Sequence, residues 1–179
     1  WGREWDELLA RDGDGVLVAM ADRVVIMGNG EIAQIGTPKD IYREPANQFV
    51  AEFVGRNNIL SGTVASVAKD TAQISTPSGD FTVPMNDVTL TNGQSASFVI
   101  SADLVHIARD KPKGGNMAQC KLISEEFVGS MVTLFLEDAQ GHEFKVQMQE
   151  RELSKFDLKG GDQIWLSWDT QSAHVLNES

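Results

Sequence analysis

The sequence has very little cysteine and no long apolar segment. Cys120 is the one cysteine, which excludes an internal disulfide framework and leaves a thiolate metal site without partners. We expect Cys120 to be a small buried hydrophobic residue. No apolar run approaches the roughly 20 residues that a membrane-spanning helix needs. Residues 1–20 also lack the pattern of a secretory signal, so the expected location is the cytoplasm.

Basic residues are scarce as well. The 179 residues include 15 Lys or Arg against 26 Asp or Glu, which gives a net charge of -11 and a pI near 4.6. The basic residues are scattered rather than gathered in one patch, so the chain would repel the phosphate backbone. One Tyr and four Trp offer few rings for base stacking. The composition therefore argues against a nucleic-acid partner.

The three histidines do not suggest a metal site. His106, His142 and His174 lie far apart and lack the spacing of a ligand set with Cys or carboxylate residues. His106 stands between two apolar residues, so on a strand its side chain would point away from theirs. We expect it to face solvent or to be satisfied in the core.

The residues that could support catalysis are equally isolated. Ser167 and His174 invite comparison with a hydrolase, but no serine is framed by a G-x-S-x-G nucleophile elbow. Two carboxylate pairs also occur in the sequence: Glu125 with Glu126, and Glu150 with Glu152. Neighbouring charges on a surface strand or turn are usually solvated. We therefore predict no catalytic, cofactor-binding or metal-binding residue in this chain.

The first third of the chain predicts a hairpin followed by two helices. Residues 23–35 form two short apolar runs around an Asn-Gly pair, the strongest local signal for a tight hairpin. Thr37 is placed to cap a short helix that runs to about Arg43. Asn47 can cap a second helix, in which apolar residues recur with helical spacing until Gly55.

After residues 56–59 the pattern becomes that of an all-β barrel, with short runs separated by turn residues. The predicted strands cover residues 60–67, 71–75, 81–83, 95–100, 104–107, 118–126, 131–136, 143–149 and 163–168. A polar stretch at 110–116 divides them into two halves, about 57–109 and 117–179. No residue-by-residue repeat between the halves is visible. Trp165 and Trp168 would point to opposite faces of their strand, one into the barrel.

Two blocks of sequence resemble a known family. Residues 20–27, reading MADRVVIM, with Gly30-Glu31-Ile32 and 34–38 (QIGTP), resemble the end of the ATPase domain of ABC transporter ATP-binding proteins. Residues 40–55 are similar to the next segment of importer ATPases. Residues 57–64 (NNILSGTV) resemble the start of their transport-associated OB domain. The closing segments 161–168 and 174–176 are similar to the last strands of polyamine and ferric-iron importers.

The departures from this family are specific. No P-loop (GxxxxGK[ST]), no Leu-Ser-Gly-Gly-Gln signature, no apolar strand ending in an acidic metal ligand and no switch histidine occur in the sequence. Residues 1–15 resemble nothing in the family, and they are foreign sequence, the product of a disrupted gene, or a divergent segment. Residues 101–104 (SADL) stand where many relatives carry an Arg-Pro-Glu turn. The resemblance therefore implies no ligand-binding role for residues 101–104.

The resemblance implies a mainly β chain. An OB-type regulatory barrel would cover residues 57–179, preceded over 16–56 by the β-hairpin and short helices that end an ABC ATPase domain. The implied role is regulation and dimerisation of the ATP-binding subunit of a bacterial importer, for polyamine or ferric iron. The alternative is a stand-alone OB module that binds a small solute or an oligonucleotide.

The resemblance also implies partners. They would be a second copy of the subunit, membrane permease subunits reached through the parent ATPase domain, and a small regulatory ligand or protein, at the inner face of the cell membrane. The parent would bind ATP and magnesium, whereas this chain is expected to need no cofactor and to have no ATPase activity of its own.

Overall fold

The computed structural model describes residues 22–85 and 88–177. The predicted hairpin is confirmed: β1 (Val24–Gly28) pairs antiparallel with β2 (Glu31–Gly36). Both predicted helices follow, α1 (Pro38–Arg43) and α2 (Gln48–Phe53). The unassigned residues 1–15 lie outside the described part of the chain.

Both helices begin at the residues that the sequence indicates. Thr37 forms a capping box with Asp40, whose backbone N–H donates to Thr37 Oγ1 at 3.2 Å while its carboxylate accepts from Thr37 N at 3.0 Å. These bonds with Thr37 lower the pKa of Asp40. Asn47 Oδ1 accepts from the Val50 backbone N–H at 3.0 Å and caps α2. The two caps fix the helix starts through neighbours in sequence alone.

The rest of the described chain is mainly β, as predicted. Its strands are β3 (Asn57–Val67), β4 (Thr71–Thr76), β5 (Gly79–Pro84), β6 (Ser95–Ser101), β7 (His106–Ala108), β8 (Asn116–Val128), β9 (Met131–Asp138), β10 (Glu143–Gln149), β11 (Gln163–Trp168) and β12 (Ala173–Val175). They form two antiparallel five-stranded sheets, ordered β12-β6-β3-β4-β5 and β10-β9-β8-β11-β7. The fold is OB-like, and each of the two sheets is curled into a half-barrel.

The two sheets repeat one topology. Strands β3 to β7 and β8 to β12 follow the same order, and in each series the last strand pairs in the other series' sheet: β7 with β11, and β12 with β6. The bulges agree as well, lying between Val64 and Ser66 in β3 and between Leu122 and Ser124 in β8. The sequence showed no repeat, whereas the pairing reveals one. We call residues 57–108 repeat 1 and residues 116–175 repeat 2.

Two buried asparagines connect the sheets. Asn58 in β3 donates to the Lys145 carbonyl at 2.9 Å and accepts from the Lys145 N–H at 2.6 Å, so it binds the edge strand β10. Asn116, its equivalent in repeat 2, makes the same two bonds with Thr82 of β5, both at 2.8 Å. Each asparagine side chain therefore forms, with the backbone of the other repeat, the same pair of hydrogen bonds that a neighbouring strand residue would form.

A single apolar core runs through both sheets. Trp168 is 3% exposed, and its ring lies 5.0 Å from that of Phe81 in one sheet and 6.2 Å from that of Phe144 in the other. Trp165, three residues earlier, is only half-buried, which confirms that the two rings face opposite ways. Burial of these large side chains supplies most of the driving force for joining the repeats.

Three local predictions need correction. The predicted strand 104–107 is wrong at its start, because Ala102–Leu104 forms a 3-10 helix and β7 begins at His106. The strands predicted from the residue pattern do not include β12, which was indicated only by the resemblance of residues 174–176 to a closing strand, and no helix was predicted at α3 (Glu150–Leu153), on which Glu150 and Glu152 lie. Such short elements carry little periodic signal, and tertiary pairing decides them. None of the helices formed by the described residues has the length and apolar character that a membrane crossing requires.

Candidate functional site

The histidines lie apart in the structure. His106 is exposed on β7, which confirms that it points away from its buried neighbours. His142 lies in the turn before β10, and its buried Nε2 has no hydrogen-bond partner among the described residues. His174 lies on β12, in the other sheet from His106. Among the described residues, no group of three His, Cys, Asp or Glu side chains is placed to hold a metal ion.

Ser167 does not meet the histidine considered with it in the sequence. It lies on β11 directly opposite His106, whereas His174 pairs with Val99 in the other sheet. The tertiary structure thus separates the two residues of the hypothetical hydrolase pair. Glu125 and Glu126 are exposed near the end of β8, as expected for solvated charges.

Cys120 is buried, as predicted, with 1% of its surface exposed. Burial, and to a smaller extent the Asp138 carboxylate opposite it, raises the pKa of the Cys120 thiol to about 12. The thiol therefore stays protonated at neutral pH, and a protonated, inaccessible sulfur is a poor nucleophile.

The most organised polar cluster joins α1 to the part of the chain that forms the two five-stranded sheets, residues 57–175, which we call the β-region. Arg43 forms a two-pronged ion pair with Asp103, with distances of 3.1 Å from Nη1 to Oδ1 and 2.8 Å from Nη2 to Oδ2. The Tyr42 hydroxyl also donates to Asp103 Oδ1, at 3.3 Å. Burial, and then the Asp103 carboxylate, raises the pKa of Tyr42. Asp103 lies in the 3-10 helix Ala102–Leu104, within the stretch 101–104 that the resemblance left without a role.

The linker between α2 and β3 makes further contacts. The Arg56 carbonyl accepts from the Ala102 N–H at 2.9 Å, and its guanidinium donates to Thr133 Oγ1 and lies 3.5 Å from Glu126. Asn57 Nδ2 donates to the Ala51 carbonyl at 3.1 Å. These bonds and the Asp103 ion pair together define what we call the junction. Because several hydrogen bonds and ion pairs connect them, we expect the two helices and the two five-stranded sheets to move as one body.

The junction is present in repeat 1 and absent from repeat 2. The pairing registers align Asp103 with Gln171, and Arg56 and Asn57 with Gly114 and Gly115. Repeat 2 therefore lacks the ion-pairing and capping groups at the equivalent end. The sequence alone does not indicate this site, because Arg43 and Asp103 are 60 residues apart and only the repeat alignment singles out Asp103.

Two shallow grooves lie elsewhere on the β-region. One, of about 270 Å³, lies between the β4–β5 and β9–β10 turns and is lined mainly by Ser61, Thr76, Ser78, Gln140 and His142. The other, of about 200 Å³, lies over Phe135 beside Glu137 and Glu143. Pockets for drug-sized ligands usually start at about 300 Å³. Neither groove brings together residues that point to a particular chemistry.

Comparison with known families identifies the barrel region. Residues 99–176, which include the strands β8 to β12 and most of the shared core, match the family described as the TOBE domain. The 3-10 helix that carries Asp103 falls inside the matched part, so the junction connects α1 directly to the residues that match the TOBE domain.

Curated relatives extend the similarity beyond the TOBE domain. The chain is 26% identical over 174 residues to the spermidine/putrescine import ATP-binding protein PotA of Frankia alni, which covers 92% of this chain and 37% of that protein. It is 53% identical over 57 residues to the Fe(3+) ions import ATP-binding protein FbpC of Streptomyces avermitilis, covering 32% of this chain and 16% of that one. The chain is thus similar to the C-terminal region of ABC importer ATP-binding subunits.

The similarity is partial in length. The chain spans about two fifths of the first importer relatives, 37%, 43% and 41% of their lengths. Among solved structures, the molybdate-bound form of the cytoplasmic molybdate-binding protein ModG matches 68% of this chain and 96% of its own, with a TM-score of 0.61 and 15% identity. At that identity the match supports the OB-like fold alone.

Proposed function

We propose that this chain is the regulatory and dimerisation region of the ATP-binding subunit of a bacterial importer, with the end of the ATPase domain in residues 16–56 and the TOBE region in 57–179. The observation that carries the proposal is the junction. An ion pair from Arg43 to Asp103, with Tyr42 on the same carboxylate, ties the proposed ATPase segment to the TOBE domain.

The hairpin supports the same proposal. Its inner face packs on α1 and α2 through Ile26, whereas four large apolar side chains cover its outer face: Val25 opposite Ile35, and Met27 opposite Ile32. They are 40 to 58% exposed. A contiguous apolar face of this kind usually packs against another part of the protein. The preceding part of an ATPase domain would cover it.

Nucleotide and magnesium would be bound by that preceding part. A P-loop holds phosphates with backbone N–H groups and a lysine, and this sequence contains none. The residues present therefore do not fit ATP, and we assign no catalytic step to them. The TOBE region would instead transmit its state to the ATPase domain through the junction, at the inner face of the membrane and beside the permease subunits.

The transported substrate is proposed from similarity only. The relatives named above import spermidine and putrescine or ferric iron, and either class fits the proposal. The grooves of the TOBE region do not distinguish them.

The test uses the complete subunit, encoded by the gene that contains this sequence, assembled with its permease in vesicles. Asp103→Asn removes the charge of the junction while conserving size. We expect the basal ATPase rate to stay unchanged and its stimulation by the substrate-loaded binding protein to fall severalfold. Gln171→Asn, at the equivalent position of repeat 2, is the matched control.

Two results would contradict the proposal. One is stimulation that Asp103→Asn leaves intact in a subunit that folds normally. The other is a gene that encodes no P-loop upstream of this sequence and that has no permease gene beside it. Light scattering on the purified complete subunit tests dimerisation. We expect a mass twice that of one subunit.

A further inference from the structure

The two repeats differ most in the hairpin that extends past the bulge. In repeat 1, β3 and β4 continue for two residue pairs beyond it, Ser66 with Gln73 and Val67 with Ala72. In repeat 2, β8 and β9 continue for five pairs, from Ser124 with Phe135 to Val128 with Met131. We call residues 123–135 the arm. It is an elaboration that the shared fold does not require.

One edge of the arm has no partner strand among the described residues. On that side, β8 pairs with β11 only as far as Lys121, and the last backbone bonds join Leu122 to Gly161 and Asp162 at 2.8 and 2.9 Å. From residue 123 to 128, β8 is bonded to β9 alone. In an antiparallel strand, the remaining N–H and C=O groups point away from the partner and stay available.

The side chains along this edge are exposed. Ile123, Phe127 and Val128 are 50, 55 and 56% exposed, although they are large and apolar. Six residues of strand span about 20 Å at roughly 3.3 Å per residue. The edge is thus long enough to accept an added strand, and its apolar residues would be covered by one.

The charge of the arm decides what kind of strand fits. The arm contains Glu125 and Glu126 and no basic residue. Arg56 lies 3.5 Å from Glu126, whereas Glu125 has no ion pair in the described structure. A second copy could pair with this edge in parallel register, or in an antiparallel register centred on the glutamates. In either register, Glu125 and Glu126 of one chain would lie opposite the glutamates of the other chain. Like charges opposite each other destabilise a sheet.

We propose that the free edge of β8, residues 123–128, binds an extended segment of a partner protein as an added strand, and that this segment carries a basic residue opposite Glu125 and apolar residues opposite Ile123, Phe127 and Val128. The backbone of β8 supplies the hydrogen bonds, Glu125 selects for positive charge, and Ile123, Phe127 and Val128 contact the apolar residues. The proposal rests on the arm and does not depend on transport. It shares with the junction only Arg56, which pairs with Glu126.

The test measures binding of the whole chain to a synthetic hexapeptide, acetyl-Val-Val-Thr-Lys-Thr-Val-amide, by calorimetry and by amide chemical shifts. In antiparallel register this peptide places Lys opposite Glu125 and Val opposite Ile123, Phe127 and Val128. We expect shifts centred on residues 123–128 and an affinity that falls as salt rises. Glu125→Lys replaces an attraction by a repulsion and should weaken binding about tenfold, judged from cross-strand charge pairs. Asp70→Lys, in the shorter hairpin of repeat 1, makes the same charge change and should leave binding unaltered.

Control peptides separate backbone pairing from charge attraction. The same peptide N-methylated at alternate residues on its pairing edge cannot donate hydrogen bonds to β8, and we expect no binding. The version with Glu in place of Lys should also fail to bind. The proposal is overturned if the lysine peptide does not bind, if N-methylated and normal peptides bind equally, or if Glu125→Lys has no effect. Concentration-dependent shifts of residues 123–128 without peptide would assign the edge to a second copy and overturn it too.

Discussion

Replacing Asn116 by alanine tests how the two repeats are held together. Asn116 is 3% exposed, and its side chain makes two hydrogen bonds of 2.8 Å to the backbone of Thr82. Asn116→Ala leaves the N–H and C=O of Thr82 without these partners. A buried group that loses its partner costs about 1–3 kcal/mol. Since Thr82 is only half-buried, we take the lower part of the range for each group and expect a total of about 2–4 kcal/mol.

Equilibrium unfolding in urea, followed by tryptophan fluorescence, measures this loss. Trp168 is buried 5.0 Å from the Phe81 ring, so its emission reports separation of the sheets. With a urea dependence of about 2 kcal/mol per molar, the midpoint should fall by about 1–2 M. Asn58→Ala breaks the equivalent bonds to Lys145 and should have a similar effect.

A control on the surface completes the experiment. Asn92 is exposed in a turn, so Asn92→Ala should change the free energy of unfolding by less than about 0.5 kcal/mol. If Asn116→Ala behaves like this control, the two asparagines do not clamp the sheets, and the apolar core alone joins the repeats.

Two further predictions concern a glycine that lies close to a neighbouring strand and the buried cysteine. A Cβ on Gly62 would lie 2.1 Å from the Ser75 carbonyl oxygen, so Gly62→Ala should lower the urea-unfolding free energy by at least about 1–3 kcal/mol, whereas Gly160→Ala, in open space, should not. Cys120 should resist thiol reagents at pH 8 until urea unfolds the chain. Because folding raises the pKa of Cys120 from 9.0 to about 12, its contribution to stability is complete below pH 9 and is lost as pH rises towards 12, which urea titrations across that range would detect.

The local elements of this protein could be predicted because their signals lie between neighbours in sequence. The Asn29-Gly30 hairpin, the Thr37 cap and the Asn47 cap each depend on residues within one turn, and all three occur in the structure. Strands β10 and β11 match their predicted bounds, since alternating apolar residues mark a half-buried strand directly.

The duplication escaped the sequence analysis for a physical reason. Equivalent core positions need only be apolar and of suitable volume, so Leu60 is matched by Ala118 and Phe98 by Leu166 without loss of the fold. Pairing register is kept far more strictly than residue identity. The exchanged strands β7 and β12 are three residues each, too short for a periodic signal.

The sequence by itself thus determined a mainly β chain with a capped helical start, a buried cysteine, and the family resemblance that later comparison supported. Only the tertiary structure decided which distant residues meet. Asp103 reaches Arg43 across 60 positions, and Asn58 reaches Lys145 across 87. Contacts of this kind depend on how whole sheets are arranged, because the free energy that forms them comes from burial of the common core rather than from any local pattern.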